Sequence, residues 1–435
     1  MKRLLLLSAA LLATPVAAQT VAITNAKLVI GDGSAPIEGG TVIVRDGRVL
    51  FAGRGVAVPA GVEAVDAGGR WVTPGIVAGF TRMGIVEVDG VDETADSSAR
   101  TSPFHAAIDI APAVNSSTSS IPLNRAEGVT RAIVAPDNAG SIFAGMGAVI
   151  DLGADRSPVT RPRAFQFMEY GADGGRAAGG SRPAALAMFR NALAQVDDVV
   201  RDPRHYADQG KDALLTRADA AALVPVTTGQ MPLLVHVERA SDMLALIDLK
   251  RDFPAVKMVF VGAAEGWLVA PQLAAAQIPV IASALTDLPN SFDQLGSTQS
   301  NVGRMKAAGV RVGLGMINDN EARQARLEKQ YAGNLVALTK LPGATGLDWN
   351  AAFAAITSVP AEVIGMGDEI GSLKAGRRGD VVIWDGDPLE LGTGVAAVYI
   401  DGVKQPLRTR QDALRDRYMV PQEGALPKAY ERYQV

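Results

Sequence analysis

The sequence of 435 residues contains no cysteine and only three histidines. Without cysteine, the chain has no disulfide, no thiolate ligand for zinc or an iron–sulfur cluster, and no cysteine nucleophile. Aromatic residues make up 5% of the chain and hydrophobic residues 48%, so a large aliphatic core is expected. Three histidines are few for a protein that holds metal ions through imidazole rings. Their positions therefore limit the chemistry open to this chain.

Long apolar runs and basic clusters are also missing. Beyond residue 18, no stretch reaches the ~18 uninterrupted apolar residues of a membrane span. The net charge is −4 and no basic block occurs, so we expect no binding to nucleic acid or to an anionic membrane. At the start, Lys2 and Arg3 precede the apolar stretch 4–13 and the small residues Val16-Ala17-Ala18. This pattern predicts a cleaved signal peptide over 1–18 and a periplasmic or secreted protein.

Both ends of the remaining chain carry short strand-like runs with tight turns. Asp46-Gly47 and Asp401-Gly402 each separate two such runs, which is typical of two-residue β-hairpins. We predict that residues 19–73 and 366–435 together form a small composite β-sandwich domain with a C-terminal tail.

The central residues 74–365 alternate between strand-like and helical patterns. The strand-like segments are 75–80, 129–135, 148–151, 164–167, 233–237, 257–261, 279–282 and 311–315. Buried parallel strands separated by helices predict the α/β class and a (β/α)8 TIM-type barrel.

Short motifs at both ends allow a comparison with a known family. The N-terminal motifs are ITNA at 23–26, DGR at 46–48 and VTPG at 72–75, and the C-terminal motifs are IGSLKAGRRGD at 370–380 and WDGDP at 384–388. Together they resemble the amidohydrolase superfamily, closest to its imidazolonepropionase-like branch. The resemblance implies a metal-dependent hydrolase barrel flanked by a β-sandwich. It also implies a homodimer, or a heteromer with an intact amidohydrolase.

The metal ligands implied by this resemblance are mostly replaced. Members of the superfamily carry a His-x-His pair after the first barrel strand, where this chain has Phe80 and Arg82. The histidine of the fifth strand is matched by His236. The histidine expected after the sixth strand is replaced by Gly262-Ala263.

The remaining ligand positions also depart from the family pattern. The eighth-strand aspartate, a metal ligand and proton shuttle, falls on Ile317 or Asn318, and Asp319 comes one or two residues late. Glu169 stands where a bridging lysine is expected after the fourth strand. Since a catalytic zinc keeps three protein ligands, His236, Asp319 and Glu169 would all have to converge to hold one. We therefore expect no metal cofactor, with one zinc or other divalent ion as the alternative.

Arg82 has two interpretations. It is a permanent cation at a position where the family has a metal ligand. In a structural role it would pair with a carboxylate such as Asp319 or Glu169. In a functional role its guanidinium would grip a substrate carboxylate through two hydrogen bonds.

Other residues are candidates for the wall of the substrate site. Glu265 and Trp267 follow the sixth predicted strand, and Asn318 follows the eighth, on the face where such barrels bind ligands. Structural roles are open for all three. His105 and His205 match no ligand position and are predicted to lie in connecting segments.

Three functional hypotheses remain, and they leave open whether the chain is an enzyme. The first is an exported, catalytically impaired amidohydrolase homologue that acts as a partner or small-molecule-binding subunit. The second is an active hydrolase of C–N bonds in peptides or cyclic amides, with a reduced mononuclear metal site and with His236 and Asp319 as catalytic candidates. The third is a periplasmic protein that binds small carboxylates through Arg82.

Overall fold

The computed structural model describes residues 20–88, 90–202, 214–284, 286–317 and 323–419. The predicted signal peptide and the candidate residues His205, Asn318 and Asp319 lie outside the described residues. Within the described ranges, no helix is long and apolar enough to cross a membrane.

Strands from both chain ends share one sheet. Its strands are β1 (Val21–Leu28), β2 (Ile37–Arg45), β3 (Arg48–Gly53), β4 (Glu63–Asp66), β5 (Trp71–Pro74), β14 (Val381–Trp384), β15 (Val395–Ile400) and β16 (Val403–Lys404). Their order is β16-β15-β14-β5-β1-β2-β3, and β4 also pairs with β1. The two predicted hairpin turns are present, with positive φ at Asp46, Gly47, Asp401 and Gly402. The sandwich packing and the domain boundaries stay predictions.

The second sheet curls into a nearly closed barrel. Its strands are β6 (Ile76–Thr81), β7 (Val129–Val134), β8 (Phe143–Asp151), β9 (Val159–Glu169), β10 (Leu233–Val237), β11 (Met258–Gly262), β12 (Val280–Ala282) and β13 (Val312–Leu314). Neighbours in the sheet follow chain order from β6 to β13. All eight predicted strand segments are strands, and the third is longer than expected.

The third barrel strand corrects the expectation that all eight run parallel with helices between them. β8 is antiparallel to both β7 and β9. The connections on its two sides, residues 135–142 and 152–158, are shorter than the dozen or more residues that a parallel crossover needs. The short connections therefore account for the reversal.

The barrel closes where β13 meets β6. The N–H of Met316 donates to the carbonyl of Phe80 at 3.2 Å. Gly79 allows this approach, because a β-carbon there would lie 2.0 Å from the carbonyl oxygen of Leu314. We call this contact the seam of the barrel.

Helices cover the outside of the barrel. They are α1 (Ser120–Arg125), α2 (Gly171–Ala177), α3 (Arg182–Arg201), α4 (Arg217–Thr227), α5 (Ala240–Asp252), α6 (Ala270–Ala275), α7 (Asn301–Ala307), α8 (Glu328–Leu338), α9 (Trp349–Ala355), α10 (Ser358–Val363) and α11 (Arg410–Met419). Inside the barrel, side chains such as Phe165, Phe167, Leu234 and Ile281 form a separate apolar cluster. The interior of the barrel is therefore packed with side chains.

A buried arginine connects the barrel to the sheet. Arg131 on β7 is fully buried and forms two hydrogen bonds with Asp380, at 2.7 and 2.9 Å. It also lies 2.9 Å from Asp401 and 3.5 Å from Asp151. Since Asp380 precedes β14 and Asp401 forms the β15–β16 turn, this network ties the C-terminal strands to the barrel wall.

Candidate functional site

A cavity of about 180 Å³ opens at the carboxyl ends of the barrel strands. It is lined by Phe80, Arg82, Asp137, Asn138, Phe167, Glu169, Asp173, His236 and Ile317. We call it the mouth cavity. The carboxyl ends of the strands form the face on which TIM barrels bind their ligands. The structure therefore brings the predicted residues Arg82, His236 and Glu169 into one cavity.

His236 lies between two carboxylates. On β10 it follows Leu234 at a spacing of two residues, and both side chains therefore point to the same face of the strand. Its Nδ1 is 2.8 and 3.0 Å from the two carboxylate oxygens of Glu169, and its Nε2 is 3.1 Å from Oε1 of Glu238. Glu169 is level with His236 on the neighbouring strand, and Glu238 is two residues further along the chain.

The two carboxylates determine the charge of the ring. Burial is the largest single effect and lowers the pKa of His236, but attraction and hydrogen bonding to Glu169, with a smaller effect of Glu238, raise it. The net result is a pKa well above the usual range. The two carboxylates therefore favour the protonated ring, in which both N–H groups can donate to them.

Phe80 and Arg82 occupy the mouth beside this triad. The Phe80 ring packs against Phe167, with ring centroids 5.5 Å apart. The guanidinium carbon of Arg82 lies 5.5 Å from the centroid of the Phe80 ring. Both replaced positions of the first strand therefore contribute side chains to the cavity wall.

Arg82 pairs with a carboxylate that the sequence analysis did not name. Its Nη1 donates to the carbonyls of Ala135, at 2.9 Å, and Pro136, and its Nη2 lies 3.4 Å from Asp137. Pairing of Arg82 with Glu169 or Asp319 stays a prediction; Glu169 contacts His236, and Asp319 lies outside the described residues. Asp137 follows β7, which is next to β6, and the loop after β7 therefore carries it to Arg82.

Glu265 and Trp267 bind neighbouring loops. The carboxylate of Glu265 accepts hydrogen bonds from the backbone N–H groups of Ala240 and Gly296, at 2.9 and 2.8 Å. The indole N–H of Trp267 donates to the carbonyl of Gly296 at 2.8 Å, and Arg304 stacks on its ring. Neither residue lines the mouth cavity, and their role in substrate binding stays a prediction.

His105 lies in a connecting segment, as expected, and lines a different cavity of about 200 Å³. The sequence analysis missed four residues at the mouth: Asp137, Asn138, Asp173 and Glu238. Glu238 was open to prediction, since it lies two residues after His236 on the same face of the strand. The other three belong to segments that follow strands, where no sequence period indicates side-chain direction.

Comparison with known proteins identifies the family. A profile of the amidohydrolase family matches residues 236–408, which begin at His236 and end beyond β16. The C-terminal part of the chain thus matches the amidohydrolase family. The amidohydrolase tasK of Hapsidospora irregularis is 25% identical over 383 residues, covering 80% of this chain and 38% of tasK. The chain therefore spans well under half the length of that relative.

Two further comparisons concern a shorter match and the fold. The imidazolonepropionase of Methylobacterium sp. (strain 4-46) is 40% identical over 82 residues, which are 18% of this chain and 20% of that enzyme. The crystal structure of an amidohydrolase from Thermotoga maritima MSB8 has a TM-score of 0.78 at 23% identity. The match covers 89% of this chain and 100% of the Thermotoga maritima chain. This chain therefore shares its fold with that structure over most of its length.

Members of the superfamily typically use a divalent metal such as zinc. A catalytic zinc needs about three protein ligands. In the part of the chain that the structure describes, no three histidine, aspartate or glutamate side chains form a group able to hold a metal ion. Both nitrogens of His236 are already bound to carboxylates. The described side chains therefore do not fit such an ion, and we derive no chemical step through one.

Proposed function

We propose that this exported amidohydrolase homologue does not carry out metal-dependent hydrolysis and acts as a partner or small-molecule-binding subunit. The observation that carries the proposal is the Glu169–His236–Glu238 triad. Its imidazolium donates both of its N–H groups within the protein wall. Such a ring has no lone pair for a metal ion or for a proton of an attacking water.

The first strand supports the same proposal. Phe80 has no ligand atom, and Arg82 places a permanent positive charge at the mouth. At the first-strand ligand position itself, the guanidinium of Arg82 would repel a divalent cation at close range. The small mouth cavity can still hold a small ligand that is compatible with the charged side chains of its wall.

Metal analysis of the purified full chain, produced in zinc-supplemented medium and dialysed, tests the proposal. We expect far less than one metal ion per chain and the same unfolding temperature with and without a chelator. The matched variant His236→Gln should have the same low metal content. One tightly held ion per wild-type chain, lost in His236→Gln, would refute the proposal and favour a hydrolase with a mononuclear site.

A further inference from the structure

The mouth cavity has the size and the walls of a site for a small aromatic or aliphatic molecule. At about 180 Å³ it holds about six water molecules, since each takes about 30 Å³ in the liquid. Phe80 and Phe167 form one apolar side, with their rings tilted 49° to each other. Cavities with apolar walls and a few charged groups are typical of small-molecule sites.

The charges of the wall decide which class of ligand fits. Three carboxylates line the cavity, Asp137, Glu169 and Asp173, against two cations, Arg82 and His236. The lining therefore has a net negative charge, and it would be more negative still with a neutral imidazole. The excess of carboxylates attracts a cation and repels an anion.

The two cations of the wall are engaged by the protein itself. Arg82 binds two backbone carbonyls and faces Asp137, and His236 binds Glu169. A carboxylate ligand would have to displace one of these contacts. Asp173, by contrast, has a side chain that is 52% exposed, and among the described residues it pairs with the still more exposed Arg176. Solvent weakens such a surface pair.

We propose that the mouth cavity binds a small organic ammonium ion whose apolar body lies against Phe80 and Phe167. The ammonium group faces the lining carboxylates, and the ring faces attract the cation further. The inference rests on the proposed function, because it requires that no metal ion occupies the mouth. It differs from the carboxylate-binding hypothesis in the sign of the ligand charge.

Three probes of similar shape and different charge test the inference. Benzylammonium, benzyl alcohol and benzoate are titrated into the dialysed full chain by calorimetry at neutral pH. We expect benzylammonium to bind at least about tenfold tighter than benzyl alcohol, as one close charge pair near a protein surface allows, and benzoate to bind weakest. Equal affinity for the three, tightest binding of benzoate, or no binding of benzylammonium would overturn the inference.

Variants of the wall identify the site. Asp173→Asn should weaken benzylammonium binding several-fold, whereas Asp248→Asn, which removes an exposed carboxylate on α5, should leave it unchanged. Asp137→Asn removes the carboxylate that faces Arg82 and should raise the affinity for benzoate. Equal effects of Asp173→Asn and Asp248→Asn would place binding elsewhere. The metal content of each sample separates the two proposals, since metal-free protein that fails to bind benzylammonium contradicts only this inference.

Discussion

The side chain of Glu328 is fully buried at the first residue of α8. Neither of its carboxylate oxygens has a hydrogen-bond partner in the described part of the chain. Burial raises the pKa of Glu328 well above its usual range, and the nearby backbone N–H of Gly79, which is too poorly placed to form a hydrogen bond, offsets this only in part. The folded protein therefore holds Glu328 as a neutral carboxylic acid over pH values at which the unfolded chain is ionised.

The sign of the pH dependence follows from proton binding. Above the unfolded pKa of about 4.3, the unfolded state loses the Glu328 proton while the folded state keeps it. Because the folded state then binds more protons, this group makes the fold less stable as the pH rises. The loss continues up to the folded pKa and is constant beyond it.

The magnitude follows from the same linkage. Each pH unit between the two pKa values costs about 1.4 kcal/mol of unfolding free energy. Glu328→Gln keeps the shape of the side chain and removes the ionisation. Relative to this variant, the wild type should therefore lose about 1.4 kcal/mol per pH unit from about pH 5 upward.

Urea unfolding of both proteins at pH values from 5 to 9 measures this difference. All other titrating groups are common to the two proteins, and their contributions cancel in the comparison. Glu93→Gln, at an exposed position, serves as the control and should follow the wild type. Parallel pH profiles for wild type and Glu328→Gln would show that the buried carboxyl group is not held neutral.

Two further predictions concern the stability of the barrel, measured by urea unfolding at one pH. Arg131→Met should destabilise the fold by about 3–5 kcal/mol, because it leaves Asp380 buried without its cation; a loss below about 1 kcal/mol would contradict this. Gly79→Ala should cost about 1–3 kcal/mol or more, because the new methyl group meets the Leu314 carbonyl. Gly392→Ala, with open space around it, should change stability by less than about 0.5 kcal/mol.

Local sequence patterns predicted the barrel strands but not all of their directions. Apolar runs indicate a buried strand, and all eight of them are strands. The direction of a strand depends on the length of the connection that leads to it. The segments 135–142 and 152–158 are too short for the crossover that a parallel neighbour needs. The expected third and fourth strands began at residues 148 and 164, whereas β8 begins at Phe143 and β9 at Val159, so both connections were predicted to be longer than they are. The reversal of β8 was therefore missed through errors in two strand boundaries.

The mouth cavity shows why the sequence positions of the family's metal ligands did not by themselves predict the site. His236 was placed correctly at the end of its strand, but its partners depend on which strands are neighbours and on their register. Register brings Glu169 level with the ring. The loop after β7 brings a further carboxylate, Asp137, to the guanidinium of Arg82. The partner of each charged side chain at the mouth thus depends on the neighbouring strands and loops. The class of ligand that fits follows from the carboxylates of the lining, which outnumber the cations.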